Sequence, residues 1–162
     1  MPPTSGIKEA HLITTEVIQS DIPALKHPLA VVFLGSSAWA QTYRIVAKIE
    51  DGEKENYFMK VSHREDGKKA LHGEFESTSS IHAIAGDFSP GPIAWGSFTS
   101  IPDAHYYICK FYHLSQDLPE PAEFCAKLAE LHIKRESPND HFGYHMITYN
   151  GNVPQENENT ES

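Results

Sequence analysis

Tyr57-Phe-Met-Lys60-Val61, followed across a charged turn by Leu71-His-Gly-Glu74-Phe-Glu-Ser77, decides how the rest of this chain is read. Tyr57, Phe58 and Val61 are bulky or β-branched, as a strand prefers, yet Lys60 places a cation in the middle of the run. The residues beyond the turn predict a helix over Lys68–Ala85. At roughly 100° per residue, Ala70, Leu71, Thr78, Ile81 and Ala85 fall within about 60° of Glu74, whereas Lys68, Lys69, His72, Glu76 and Ser80 take the opposite side. Glu74 is then a carboxylate at the centre of an apolar face, where an unpaired charge is costly, and Glu76 is a solvated one. The nearest candidate partner for Glu74 is Lys60, so the spacing predicts an ion pair between a strand and the helix that follows it.

Outward from that pair, Leu29-Ala-Val-Val-Phe-Leu34 is a short apolar strand ending at Gly35, and Gln41–Ile49 alternates polar and apolar residues as a half-buried strand does. Between them lies Gly35-Ser36-Ser37-Ala38-Trp39-Ala40. A loop of glycine and small residues lets backbone N–H groups approach a phosphate closely, but it matches neither G-x-G-x-x-G nor a Walker motif, so a plain hairpin stays open. Asp51-Gly52 turns the chain into the Lys60 strand, completing a three-stranded meander. The helix stops at Gly86, with Pro90 and Pro92 beyond it. Ile93–Phe98 and Tyr106–Tyr112 read as two more strands around a turn at Ser100–Asp103. The expected architecture is α+β: a five-stranded antiparallel sheet with one helix packed on it. Phe124, Leu128 and Leu131 then have helical spacing up to Pro138, and a loop rich in Gly and Asn follows. Residues 7–26 mix helical and extended signals and receive no element. Residues 155–162 are polar and acidic and are expected to be disordered.

Composition narrows the function classes. The 162 residues carry 13 Lys and Arg against 22 Asp and Glu, a formal net charge of -9, and show no basic stripe, so a nucleic-acid partner is not expected. Cys109 and Cys125 sit in apolar surroundings behind a start, Met1-Pro-Pro-Thr-Ser-Gly6, that lacks the apolar run of a signal peptide. No stretch approaches the roughly 18 apolar residues of a membrane span. The expectation is a soluble cytoplasmic protein with reduced thiols and no membrane partner. His141 and His145 have no third ligand at a recognisable spacing, and Phe142-Gly143 between them argues against a shared helix face, so no metal ligand is expected.

A strand lysine held by the glutamate of the next helix is the arrangement by which kinase-like folds grip the α- and β-phosphates of ATP; the other reading is a structural ion pair. Six segments in order carry a wider resemblance: Phe58-x-Lys-Val61, Gly73-Glu-Phe-Glu-Ser77, Pro90-x-Pro-Ile-Ala-Trp-Gly96, Tyr107-Ile-Cys109, Phe124-Cys-x-x-Leu-Ala-x-Leu-His132 and Phe142-Gly-Tyr-His-x-x-Thr-Tyr-Asn-Gly-Asn-x-Pro-Gln155. Together, over residues 30–155, they resemble the fungal branch of the fructosamine kinase family, also called protein-ribulosamine or ketosamine 3-kinases. The resemblance implies a protein-kinase-like N-terminal lobe and hinge over residues 29–112, the start of a helical second lobe over 113–154, a partly flexible segment over 1–28 and a disordered tail over 155–162. It implies use of ATP and Mg2+ to phosphorylate the 3-hydroxyl of ketosamines on glycated lysines, of proteins or of small molecules. By position, Lys60 would hold the ATP phosphates, Glu74 would orient it, Gly35, Ser36, Ser37, Ala38 and Trp39 would cover the phosphates, and the backbone of Lys110, Phe111 and Tyr112 would bind adenine.

The match has departures. Many relatives carry an acidic residue where this chain has Lys110, and some carry a cysteine in the glycine-rich loop where it has Ser36 and Ser37, so no redox role transfers. His72-Gly73-Glu74 imitates the His-Gly-Asp of a phosphotransferase catalytic loop, but it lies in the helix after the Lys60 strand, has Glu for Asp, and has Ser79 where a metal-binding Asn belongs. The family's own His-Gly-Asp loop and magnesium-binding aspartate follow the Pro-Gln segment and do not occur in residues 1–162, so no catalytic residue is assigned. A ketosamine 3-kinase cut short before its catalytic loop is the leading expectation; a non-catalytic lobe that binds a nucleotide or partner, or a non-functional fragment, are the alternatives.

Overall fold

The computed structural model describes residues 13–86, 88–134 and 143–157. Strands β1 (Pro28–Ser36), β2 (Gln41–Lys48), β3 (Lys54–His63), β4 (Pro92–Ser97) and β5 (Ala104–Lys110) form one antiparallel sheet in the order β1-β2-β3-β5-β4. Strand β5 lies between β3 and β4 because the helix after β3 carries the chain across the sheet before the β4–β5 hairpin returns. The register pairs Tyr43 with Met59, Thr42 with Lys60 and Arg44 with Phe58. Since side chains alternate along a strand, that register sorts the sheet into two faces.

One face holds Tyr43, Ile45, Ala47, Met59, Val61, Tyr106 and Ile108, all buried. Helix α1 (Thr15–Asp21) and the chain after it cover this face with Ile18, Ile22 and Leu25, which join the same core. Thr14 caps the helix by accepting a bond from the Val17 amide at 3.4 Å. At its other end Asp21 accepts bonds from the amides of Thr99 and Ser100, both at 2.8 Å, and from their hydroxyls at 2.9 and 2.7 Å. Burial would raise this carboxyl, but these bonds and one from Ser20 outweigh it and hold Asp21 well below its usual 3.8. Thus α1 is tied to the β4–β5 turn.

The other face is covered by α2 (Arg64–Ile84), which packs on β3, β4 and β5 rather than on β1 and β2. Leu71, Tyr107 and Cys109 form a small buried cluster there with Phe58 and Phe75 against it. His72 stacks on Trp95, with ring centroids 4.0 Å apart. A third helix, α3 (Pro121–Lys134), has no buried residue among those described, and its Phe124 ring stacks on Phe88, in the chain just beyond α2, with centroids 6.0 Å apart. The chain then forms a small hairpin of β6 (Thr148–Asn150) and β7 (Val153–Gln155), its turn at Gly151, whose φ of 65° suits glycine.

The five strands and their antiparallel pairing agree with the sequence reading; several details differ. Helix α2 begins at Arg64 rather than Lys68, with Glu65 and Asp66 favourably placed in its first turn. Its supposedly solvated side is partly covered, since His72 lies on Trp95 and the Ser80 hydroxyl is 2.9 Å from that of Tyr144. Strand β5 ends at Lys110, two residues earlier than expected, and β1 runs through Gly35 to Ser36. Residues 7–26 yield α1, and the Gly- and Asn-rich loop contains the β6–β7 hairpin. Gln155 belongs to β7, so a disordered tail does not begin there. Asn157 is also held, its side chain donating to Thr148 Oγ1 at 2.6 Å and its carbonyl accepting from the Tyr144 amide at 2.9 Å; residues 158–162, the first twelve residues, and the Pro138 and His141 positions lie outside the described residues.

Candidate functional site

Lys60 lies on the α2 side of the sheet, and its Nζ is 2.6 and 2.7 Å from the two carboxylate oxygens of Glu74. The side chains are 28% and 34% exposed, so the pair is neither free in solvent nor sealed away from it. An ammonium has three donors, and Glu74 occupies two, which leaves one for a ligand. The Glu74 main-chain carbonyl accepts from Thr78 Oγ1 at 2.6 Å, and that hydroxyl is 3.2 Å from the Tyr107 hydroxyl. Tyr107 is the register partner of Lys60 on β5. Burial pushes the Tyr107 phenol and the Cys109 thiol up, so both stay protonated near neutral pH and serve as packing and donor groups rather than as nucleophiles.

The Gly35–Ala40 loop is a braced hairpin. The Ser37 amide donates to Ala40 O at 2.8 Å, and Ser37 Oγ accepts from the amides of Trp39 and Ala40 at 3.4 and 3.1 Å. Those amides are therefore used within the loop, and Ala38 sits at its tip. Trp39 is held from two sides. Its carbonyl accepts from Ser62 Oγ at 2.7 Å, and its ring lies against Gly151, where an added Cβ would come within 3.0 Å of it. The segment bearing Gly151 also crosses α2 at Gly73, where a Cβ would meet the Ile147 carbonyl at 2.8 Å. Residues 143–157 thus touch both the helix that carries Glu74 and the loop that carries Trp39.

At the other end of β3, Tyr57 pairs with Lys110. Three residues of strand, about 10 Å, separate that point from Lys60. Here the Lys110 amide donates to Gly91 O at 3.1 Å and the Phe111 amide to Asn56 O at 3.2 Å, so among the three expected hinge residues it is Tyr112 whose amide has no partner among the described residues. Lys110 Nζ lies 3.9 Å from Glu55, and Tyr112 is exposed. The structure therefore joins Lys60 with Glu74 directly, and sets Gly35–Trp39 and Lys110–Tyr112 at opposite ends of the strand that carries Lys60. An elongated ligand with an anionic end at the loop and a flat end at residues 110–112 fits that spacing.

Sequence reasoning did not single out Tyr107, the register partner of Lys60, or the contacts of the 143–157 segment with the site. The recurrent glycines at 73 and 151 were the available signal, since each marks a close backbone approach. A hollow of about 580 Å³ is lined by Lys26, His27, Lys48 and Tyr57 among others and does not include Lys60 or Glu74. Among the described residues no group of three or more His, Cys, Asp or Glu could hold a metal ion, and no helix is long and apolar enough to cross a membrane.

The family described as Fructosamine kinase matches residues 34–162. The fold is similar to that of a protein assigned as a fructosamine-3-kinase from Haemophilus somnus 129PT, with a TM-score of 0.63 and 16% identity over 90% of this chain and 46% of that one. It is also similar to one from Thermobifida fusca YX-ER1, with a TM-score of 0.57 and 21% identity over 82% of this chain and 42% of that one. The chain spans less than half the length of either. No curated protein matches it.

Proposed function

The chain belongs to the fructosamine kinase family, and from that premise we propose that it supplies the nucleotide-holding half of an ATP-dependent ketosamine 3-kinase. The observation that carries this reading is the Lys60–Glu74 pair, a cation fixed by both oxygens of a helix carboxylate beside a glycine-containing hairpin. Phosphoryl transfer depends on positioning and on charge stabilisation, and a fixed ammonium contributes to both. Lys60 would meet the phosphates, Glu74 would hold it there, Gly35–Trp39 would lie over them, and Lys110–Tyr112 would border the base. ATP supplies the phosphoryl group, and its acceptor in this reading is the 3-hydroxyl of a ketosamine on a glycated lysine.

Magnesium does not fit the described residues as a protein-held ion: Glu74 is the carboxylate at the site, and both its oxygens face Lys60. The residue that orients the attacking hydroxyl is likewise not among residues 1–162 in this proposal, because the acidic groups of α3 lie on an exposed helix.

Two measurements test the proposal. Calorimetry with ATP and magnesium is expected to show weak binding by residues 1–162 that Lys60→Met abolishes; tight binding indifferent to that substitution puts the site elsewhere. Phosphate transfer to a fructose- or ribulose-lysine peptide is expected to be absent with residues 1–162 alone and present once a family helical lobe is joined in frame. Turnover by the short chain, lost in Lys60→Met, would show that the acceptor-orienting group lies within it.

A further inference from the structure

We propose that the β6–β7 turn, through Asn150 and Asn152, together with the exposed part of the Trp39 ring, binds the sugar of the phosphoryl acceptor; this rests on the kinase reading above. The turn has two residues, Gly151-Asn152, and closes the hairpin in which Asn150 pairs with Val153. Gly151 lies so near the Trp39 ring that an added Cβ would be 3.0 Å from its Cζ2. Asn150 and Asn152 immediately flank that contact and are exposed, and Trp39 itself is 50% exposed. The hairpin is fixed at its other end: the Ile147 carbonyl lies against Gly73, the residue before Glu74, and Asn157 Nδ2 donates to Thr148 Oγ1 at 2.6 Å. It therefore runs from the helix of Glu74 to the loop of Trp39, along the end of the site assigned to the phosphates.

Transfer needs the acceptor oxygen within about 3–3.5 Å of the phosphorus, so the acceptor stands at this end and not at residues 110–112. What the surface can hold there follows from its composition. Residues 143–155 contain no Asp, Glu, Lys or Arg, in a chain whose net charge is -9. A carboxylate at this place would repel the triphosphate, and an ammonium would compete with Lys60 for it. A carboxamide does neither, and it both donates and accepts hydrogen bonds. Sugar hydroxyls also donate and accept, and the C–H face of a sugar packs on the apolar body of an indole. A neutral polyol thus uses the amides and the ring together, whereas a polypeptide amine finds no carboxylate within residues 143–155 to pair with. The sugar, rather than the polypeptide part of a glycated lysine, is assigned to the turn.

The experiment is saturation-transfer NMR of fructose-lysine, unmodified lysine and ATP with the purified full chain, comparing wild type with the double variant Asn150→Ala, Asn152→Ala. With ATP present, the wild type is expected to bind fructose-lysine, with saturation strongest on the sugar protons, and not to bind lysine. The double variant is expected to weaken fructose-lysine about tenfold and to leave ATP binding and Tm unchanged. Fructose-lysine binding that survives the double substitution, saturation centred on the lysine protons, or a loss that falls equally on ATP overturns the assignment and leaves the nucleotide reading intact. So does a wild type that binds ATP and no fructose-lysine. A clear fall in Tm would make the two asparagines structural residues of the hairpin and overturn the proposal as well. Failure of the wild type to bind ATP overturns the nucleotide reading and this inference with it.

Discussion

The two faces of the central sheet are built on opposite principles. Under α1 the face is dry and continuous, with Tyr43, Ile45, Met59 and Ile108 at 1% exposure or less and one carboxylate, Asp21, whose oxygens are saturated by bonds to the β4–β5 turn. Under α2 the buried cluster is small, and beyond it the face carries a partly exposed ion pair and an arginine nitrogen, Arg44 Nε, with no hydrogen-bond partner among the described residues. The first face satisfies every requirement internally and the second leaves several open. Stability should therefore reside mainly on the α1 side and ligand chemistry on the α2 side.

The largest effect is expected from Ile45→Ala, which leaves a cavity in the dry core and should cost about 2–5 kcal/mol by urea unfolding. Leu71→Ala, in the smaller cluster, should fall at the lower end of that range; equal losses at the two positions would break the contrast. Next comes Asp21→Asn, expected to cost about 1–3 kcal/mol at neutral pH because acceptors for two amides and two hydroxyls are disturbed. This carboxyl is lowered on folding, so its contribution is complete above the ordinary 3.8 and is lost as pH falls through that value toward its folded one. Unfolding at pH 3 and pH 6 should accordingly show the gap between wild type and Asp21→Asn narrowing in acid. The smallest change in stability is expected from Lys60→Met, within about 1 kcal/mol, because a partly exposed ion pair contributes little net stability. A large loss there would move Lys60 from the ligand side of the contrast to the structural side.

How much of this was legible depends on how local the signal is. The strands announce themselves by alternation, and the Lys60–Glu74 pair by a charge placed where each element should be apolar, so both survive translation from sequence to structure. Helix α1 did not, because seven residues cannot show two full periods, and what makes it a helix is the burial of Ile18 and Ile22 against strands that come later. The β6–β7 hairpin was hidden for a related reason: Thr148-Tyr-Asn150 and Val153-Pro-Gln155 are three-residue strands without alternation, held by what they touch. Arg44 was visible as a polar position on a half-buried strand, but its lack of a hydrogen-bond partner is a fact about three strands at once.

A sharper probe of the 143–157 contact is Gly73→Ala. In an isolated helix the change is mildly favourable, yet here the new Cβ would lie 2.8 Å from the Ile147 carbonyl. Amide exchange is expected to rise across residues 143–157 and stay unchanged in the α1-side core; protection that persists in both would mean that the segment accommodates the methyl group.

The contact between Trp39 and Gly151 also sets an order of events during synthesis. A chain emerges from the ribosome with its N-terminal part first and begins to fold as it does so. All five strands of the main sheet and both helices that cover it are complete by Lys110, whereas Gly151 follows only after α3 has been made. The nascent protein therefore acquires its scaffold while the Trp39 hairpin still lacks one of its two supports, and the loop settles only when a much later stretch of chain reaches back to it.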